Sequence, residues 1–217
     1  MSTQSTRINM VKQQLRTGGV LNPKILDLYD QIPRDGFVPN EFKPFAYSDL
    51  QIPLAHDQRM LTPLEEATIL QALNLLGTEV VLEVGTGSGF MTALLSRLCR
   101  HVISIDCFAS FTAAARQTLS EHRCENVTLE TGDAAKGWLD KAPYDAIIFT
   151  GAITSLTESH RLQLVPGGKL FAIIGKPPAM QGQIHHLDHV GLWQSEVLFE
   201  TNTPPLIDSV SPINFVF

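Results

Sequence analysis

The chain has 217 residues, 44% of them hydrophobic, which is room for one compact domain of roughly 100 to 200 residues plus an extension. With 16 Lys+Arg against 22 Asp+Glu and a net charge of −6, it offers no clustered cations for phosphate backbones or anionic lipid, so neither nucleic acid nor a membrane is expected as a partner. No apolar signal core follows the first residues and no stretch nears the roughly 18 apolar residues of a membrane helix, while Cys99, Cys107 and Cys124 lack a C-x-x-C spacing; a cytoplasmic protein with reduced, mostly buried thiols and no metal is expected.

The first third reads as helical. Ile8, Val11 and Leu15 recur at helical spacing before Gly18-Gly19 stops the run, and Asn22 and Pro23 then open a second helix carrying Ile25, Leu26 and Tyr29. From Pro33 to Pro53, four prolines alternate with Phe37, Phe42, Phe45 and Tyr47, the pattern of an ordered loop anchored by aromatics. Thr62-Pro63-Leu64-Glu65 is a capping box that starts a third helix through Ile69, Leu70, Leu73 and Leu76, with Gly77 as its stop.

From Val80 the pattern becomes strands alternating with helices. Residues 80–84, 102–106, 127–131, 146–150 and 170–174 are short apolar runs, which predicts a parallel sheet covered on both faces, a doubly wound, Rossmann-like α/β fold. Two consecutive strand-like segments, 184–190 and 193–201, joined through Gly191, predict an antiparallel C-terminal edge. The expected organisation is a helical and loop extension over 1–78 and a ligand-binding domain over 79–217, forming one compact unit.

The densest chemical signal is Glu83-Val84-Gly85-Thr86-Gly87-Ser88-Gly89 between a strand and a helix. Glycines there let backbone approach a ligand. Phe90 stands where a nicotinamide fingerprint needs its third glycine, and no Gly-Lys-Ser/Thr follows to make a P-loop. Glu83 would repel a pyrophosphate but favour an ammonium, which S-adenosylmethionine carries. Asp106, ending the second strand, is placed to accept ribose hydroxyls, and Asp133, after Gly132 at the end of the third, to reach an adenine amino group. Strand ends of a doubly wound sheet converge on one crevice, so the three acids form a constellation.

The chain resembles the class I S-adenosylmethionine-dependent methyltransferases and, more closely, the protein-L-isoaspartate O-methyltransferase family. Residues 9–16 (NMVKQQLR), 32–39 (IPRDGFVP) and 82–89 (LEVGTGSG) carry the likeness, with Gly132-Asp133, Gly137-Trp138, residues 143–148 (PYDAII) and 164–170 (LVPGGKL) beyond them. The resemblance implies methylation of the α-carboxylate of an L-isoaspartyl residue in a damaged protein or peptide, the start of its repair. It implies S-adenosylmethionine as methyl donor, held by Glu83, Gly85, Thr86, Gly87, Ser88, Gly89, Asp106, Gly132 and Asp133. Where the family carries Gly-Gln-Thr-Ile-Ser before Gln-Pro, this chain reads Asp57-Gln58-Arg59-Met60-Leu61-Thr62-Pro63. Leu61 replaces the serine and cannot hydrogen-bond a carboxylate, so Arg59, Thr62 and His56 become the candidates for acceptor contact and catalysis, with Asp57 an opposing charge. A methyltransferase with another acceptor and a non-catalytic cofactor-binding protein are the two other readings open at this stage. His185, His186, Asp188 and His189 alternate across a strand and so do not converge on a metal; the C-terminal residues 214–217 leave packing and oligomerisation both open.

Overall fold

The five apolar runs line up in parallel, from the β3 edge inward, in a seven-stranded sheet of order β3-β2-β1-β4-β5-β6-β7 in the computed structural model, which describes residues 3–187, 190 and 192–207. The parallel strands are β1 (Val80–Val84), β2 (His101–Asp106), β3 (Val127–Thr131), β4 (Tyr144–Ile153) and β5 (Leu164–Lys176). Continuous Val, Ile and Leu suit them because both pleat faces are covered. Strands β6 (Ala179–Leu187) and β7 (Trp193–Thr201) add antiparallel on β5. Strand β6 begins five residues before its predicted start because Gln181, Gly182 and Gln183 interrupt the apolar alternation; Gly182 faces the Phe199 ring at a shift in the β6–β7 register. Gly191, the expected joint, and residues 188–189 and 208–217 lie outside the described residues.

The face carrying Val81, Val102, Ile148 and Phe171 packs on helices α1 (Thr3–Met10), α2 (Pro23–Gln31), α3 (Pro63–Leu73), α4 (Phe90–Ser96) and α5 (Ala109–Glu121) in one apolar cluster. That cluster draws Met10, Tyr29 and Ile69 from the first 78 residues together with Leu94 and Leu119 from the rest. The opposite face, Leu82, Ile103, Ile147, Phe149 and Leu170, is covered more thinly, by Trp138, Leu156 and the four-residue α6 (Glu158–Arg161), whose His160 packs on the Phe149 ring. Among the described residues no helix is long and apolar enough to cross a membrane.

Local chemistry sets the helix ends. Asn22 accepts from the Lys24 N–H and starts α2, and the Thr62–Glu65 capping box starts α3. Helix α3 ends at Leu73, short of the predicted Gly77. Asn74 takes the left-handed conformation (φ 49°), and the Lys169 ammonium from β5 donates to the carbonyls of Ala72 (3.2 Å) and Leu73 (2.7 Å). A cation on the last carbonyls satisfies the orphan acceptors where helix meets sheet, and Leu76, beyond that stop, is 76% exposed. The aromatic-anchored loop is ordered as expected: Phe37 is buried against Phe90 and His122, and the Tyr47 hydroxyl donates to Asp35. His185 is buried edge-on to Trp193, whereas His186 pairs in register with Lys169.

Candidate active site

Strand β1 ends in a turn that only glycine builds. Gly85 has φ +100°, and a side chain there would collide with the Thr150 hydroxyl at the end of β4. Its N–H donates to the Ile105 carbonyl (2.8 Å), drawing the loop over the end of β2. Gly89 caps α4 at φ +81° against Ala115 of α5. The turn forms one wall of an open cleft at the carboxyl ends of the central strands, lined by Gly85, Gly87, Asp106, Phe108, Phe111, Gly132, Asp133 and Thr150. The place is the switch point where strand order reverses between β1 and β4, where ligands of doubly wound sheets bind.

Two of the three predicted acids stand in this wall. Asp106 accepts the Gly87 N–H on Oδ2 and the Phe108 N–H on Oδ1, both at 2.9 Å, so one carboxylate fixes the glycine loop to the segment after β2. Burial raises its pKa and these backbone hydrogen bonds oppose the rise; each oxygen retains a lone pair for a ligand hydroxyl. Asp133 is exposed to the cavity, with Oδ1 accepting the Ala135 N–H (2.9 Å). Glu83 stands behind this wall. It has no exposed surface and lies beneath the loop, where Oε2 accepts from Thr92 (2.5 Å) beside the hydrogen-bonded Thr86–Ser104 hydroxyl pair (2.7 Å). Burial pushes its pKa up to about 8, against the lowering by Ser104 and Thr92, and its Oε1 is buried without a hydrogen-bond partner.

Residues 53–59 form a tight hairpin across the cavity mouth. Pro53 bridges Arg59, the Leu54 N–H donates to Gln58 (2.8 Å), and His56 and Asp57 at its tip both have positive φ. The His56 ring lies parallel to Phe108 with centroids 3.9 Å apart, and its Nε2 is 2.9 Å from the Ser110 hydroxyl. It latches the tip and lines neither chamber; Asp57 likewise lies outside both linings. Thr62 is spent on its cap, Oγ1 accepting from Glu65 N–H (3.2 Å). Arg59 alone among the three lies in the site. It lines the main cleft and also a smaller side chamber formed with Met60, Leu61, Glu66, Ser88 and Met91. The two chambers share Leu54, Arg59, Gly85, Gly87 and Thr150.

Several wall residues carried no sequence signal. Phe108 and Phe111 stand outside every motif, and Cys107 is exposed at the cavity while Cys99 and Cys124 are buried. The strap 203–207 closes the far side. Leu206 N–H donates to the Ala152 carbonyl (2.9 Å), the Pro204 carbonyl accepts from Ala152 N–H (3.1 Å), and Thr203, Leu206 and Ile207 face the cavity.

Residues 5–196 match the family model described as Protein-L-isoaspartate(D-aspartate) O-methyltransferase. The protein-L-isoaspartate O-methyltransferase of Synechococcus sp. is 37% identical over 178 residues, covering 82% of this chain and 73% of its own. That of Syntrophus aciditrophicus is 40% identical over 172 residues, 79% of each chain. Among solved structures, a protein-L-isoaspartate O-methyltransferase superposes with TM-score 0.78 at 20% identity, over 94% of this chain and 65% of that one. One from Plasmodium falciparum in complex with S-adenosyl-L-homocysteine gives 0.75 at 15%, over 95% and 98%.

Proposed function

Because the chain belongs to the protein-L-isoaspartate(D-aspartate) O-methyltransferase family, we propose that it transfers a methyl group from S-adenosylmethionine to the α-carboxylate of an isoaspartyl residue in a protein or peptide. The observation that carries this reading is the meeting of two chambers at Arg59 and the glycine loop, one lined by Asp106, Phe108 and Asp133 and the other by Met60, Leu61 and Met91. S-adenosylmethionine, when bound, supplies an electrophilic methyl on a sulfonium. Phe108, Phe111 and Asp133 would take its adenine, Asp106 its ribose hydroxyls, and the backbone of Gly85 and Gly87 its methionine portion.

A carboxylate acceptor is ionised at neutral pH and attacks without a general base. Neither His56 nor Thr62 is therefore needed as a catalytic residue, and their placement outside the chambers agrees with that. Arg59 provides a charge-assisted donor for the carboxylate where Leu61 has no hydroxyl, and Met60, Leu61 and Met91 keep water from it. Holding the two reactants in line is the remaining contribution. The family assignment favours this acceptor over a diverged one and over a non-catalytic role.

The test is transfer of labelled methyl to an isoaspartyl peptide beside its aspartyl twin, with S-adenosylhomocysteine binding measured on the same sample. Base-labile label on the isoaspartyl peptide alone is expected. Arg59→Ala should raise the peptide KM at least about tenfold, the loss of a charge-assisted hydrogen bond, and by more than it raises the Kd of S-adenosylhomocysteine. A bound cofactor with no label on the peptide overturns the reading.

A further inference from the structure

Arg34 lies in the proline-rich segment, where a charged side chain reads as a surface group, yet it is fully buried, with 0% exposure. Its Nε donates to Glu66 Oε2 (3.3 Å), Nη1 to the Ala46 carbonyl (3.0 Å), and Nη2 to the Leu61 carbonyl (2.6 Å) and Glu66 Oε1 (3.5 Å). The guanidinium carbon also stands 5.5 Å from the ring centroid of Phe90, the first residue of the helix that the glycine loop opens. One planar group thus touches the aromatic loop, the acceptor segment, α3 and the head of α4.

Removing an arginine and a glutamate from water costs several kcal/mol per ion, and apolar side chains of similar volume hold a core as well or better. What apolar packing does not supply is direction. The rigid fork of a guanidinium fixes several acceptors in one plane. Leu61 and Glu66, the groups it fixes, are both walls of the side chamber, and Arg59 precedes Leu61 by two residues on the same extended segment. Resting on the acceptor reading above, we propose that Arg34 is a positioning residue for methyl transfer: from behind the chamber wall it sets Leu61, Glu66 and hence Arg59 against the glycine loop.

Two variants separate this role from plain core stability. Arg34→Met/Glu66→Met removes both charges and leaves no unpaired ion, so the chain is expected to fold; Arg34→Lys keeps the charge on a single ammonium that does not span the three partners. In the double variant, S-adenosylhomocysteine Kd should stay within about twofold of wild type. The isoaspartyl-peptide KM should rise and kcat/KM fall by about 10- to 100-fold, the penalty of an ångström-scale misplacement. Amide exchange at Leu54, Gln58 and Met60, whose N–H groups hold the hairpin, should quicken at least about tenfold while β1 and β4 stay protected. Arg34→Lys should fall between, and it carries the same readouts if the double variant does not fold. Wild-type KM and exchange rates in the variants overturn the proposal, as does a fall in kcat/KM matched by an equal loss of S-adenosylhomocysteine affinity. A wild-type chain that leaves the peptide unmethylated refutes the proposed function instead, and the exchange comparison then still decides whether Arg34 holds the segment.

Discussion

Replacing Asp106 by asparagine keeps the shape of the side chain and removes its charge and one of its two acceptors. In the wild type the two oxygens accept Gly87 N–H and Phe108 N–H, each at 2.9 Å. An amide satisfies one and turns an NH2 toward the other. A hydrogen bond to a charged group contributes about 1.5–3 kcal/mol, and its loss here loosens the glycine loop against the segment that carries Phe108. Transferred to the ligand, this raises the Kd of S-adenosylhomocysteine by about 10- to 150-fold. Titration calorimetry at pH 7.5 measures it, with circular dichroism showing that the fold is retained. Acidification should imitate the substitution. The pKa of Asp106 is raised chiefly by burial, so wild-type affinity falls as pH drops through that raised value, while the asparagine variant lacks this component. A variant Kd within threefold of wild type, or the same pH dependence in both proteins, would refute the placement of Asp106 as the clasp of the cavity.

Glu83 makes a different demand on pH. Its folded pKa of about 8 lies above the ordinary 4.5, so the folded state holds a proton that the unfolded state gives up. Stability from this group is therefore full below about pH 4.5 and declines as pH rises through 8. Between pH 6 and 8 it falls by about 2 kcal/mol, and Glu83→Gln should flatten the decline of urea-unfolding free energy by that amount; an unchanged slope would show Glu83 ionised. Thr62→Ala should cost about 1 kcal/mol through the lost cap, a few degrees in Tm, with the acceptor KM within twofold; a tenfold rise in KM at unchanged Tm would return Thr62 to the site.

What the sequence made legible is what local chemistry specifies. The caps at Asn22 and Thr62, the glycine turn after β1 and the parallel strands all arise from neighbours in the chain, and all stand where their residues put them. The losses have tertiary causes. Helix α3 stops at Leu73 because Lys169, 96 positions away in sequence, meets its last carbonyls. Glu83 reads from strand spacing as a group near the turn, and its full burial depends on Thr92 of α4 and Ser104 of β2, which meet it only in the folded chain. The hairpin tip lacked a glycine to mark its turn, since His56 and Asp57 take the positive φ themselves, so a latch read as a catalytic loop. The role of Arg34 is not legible in residues 32–39, because burial of a charge depends on partners 12 to 32 residues away.

The strap at 203–207 has a consequence for biosynthesis. A chain emerging from the ribosome has made β1 and its glycine turn before half its length is complete, and the central sheet is present once β5 has been added. The far wall of the cavity still waits for Pro204 and Leu206 to reach Ala152. Translation proceeds at roughly 5–20 residues per second, so the sheet precedes a usable ligand pocket by seconds. A nascent chain therefore gains no stability from its ligand during that interval and must rely on the apolar sheet and the helices packed on it.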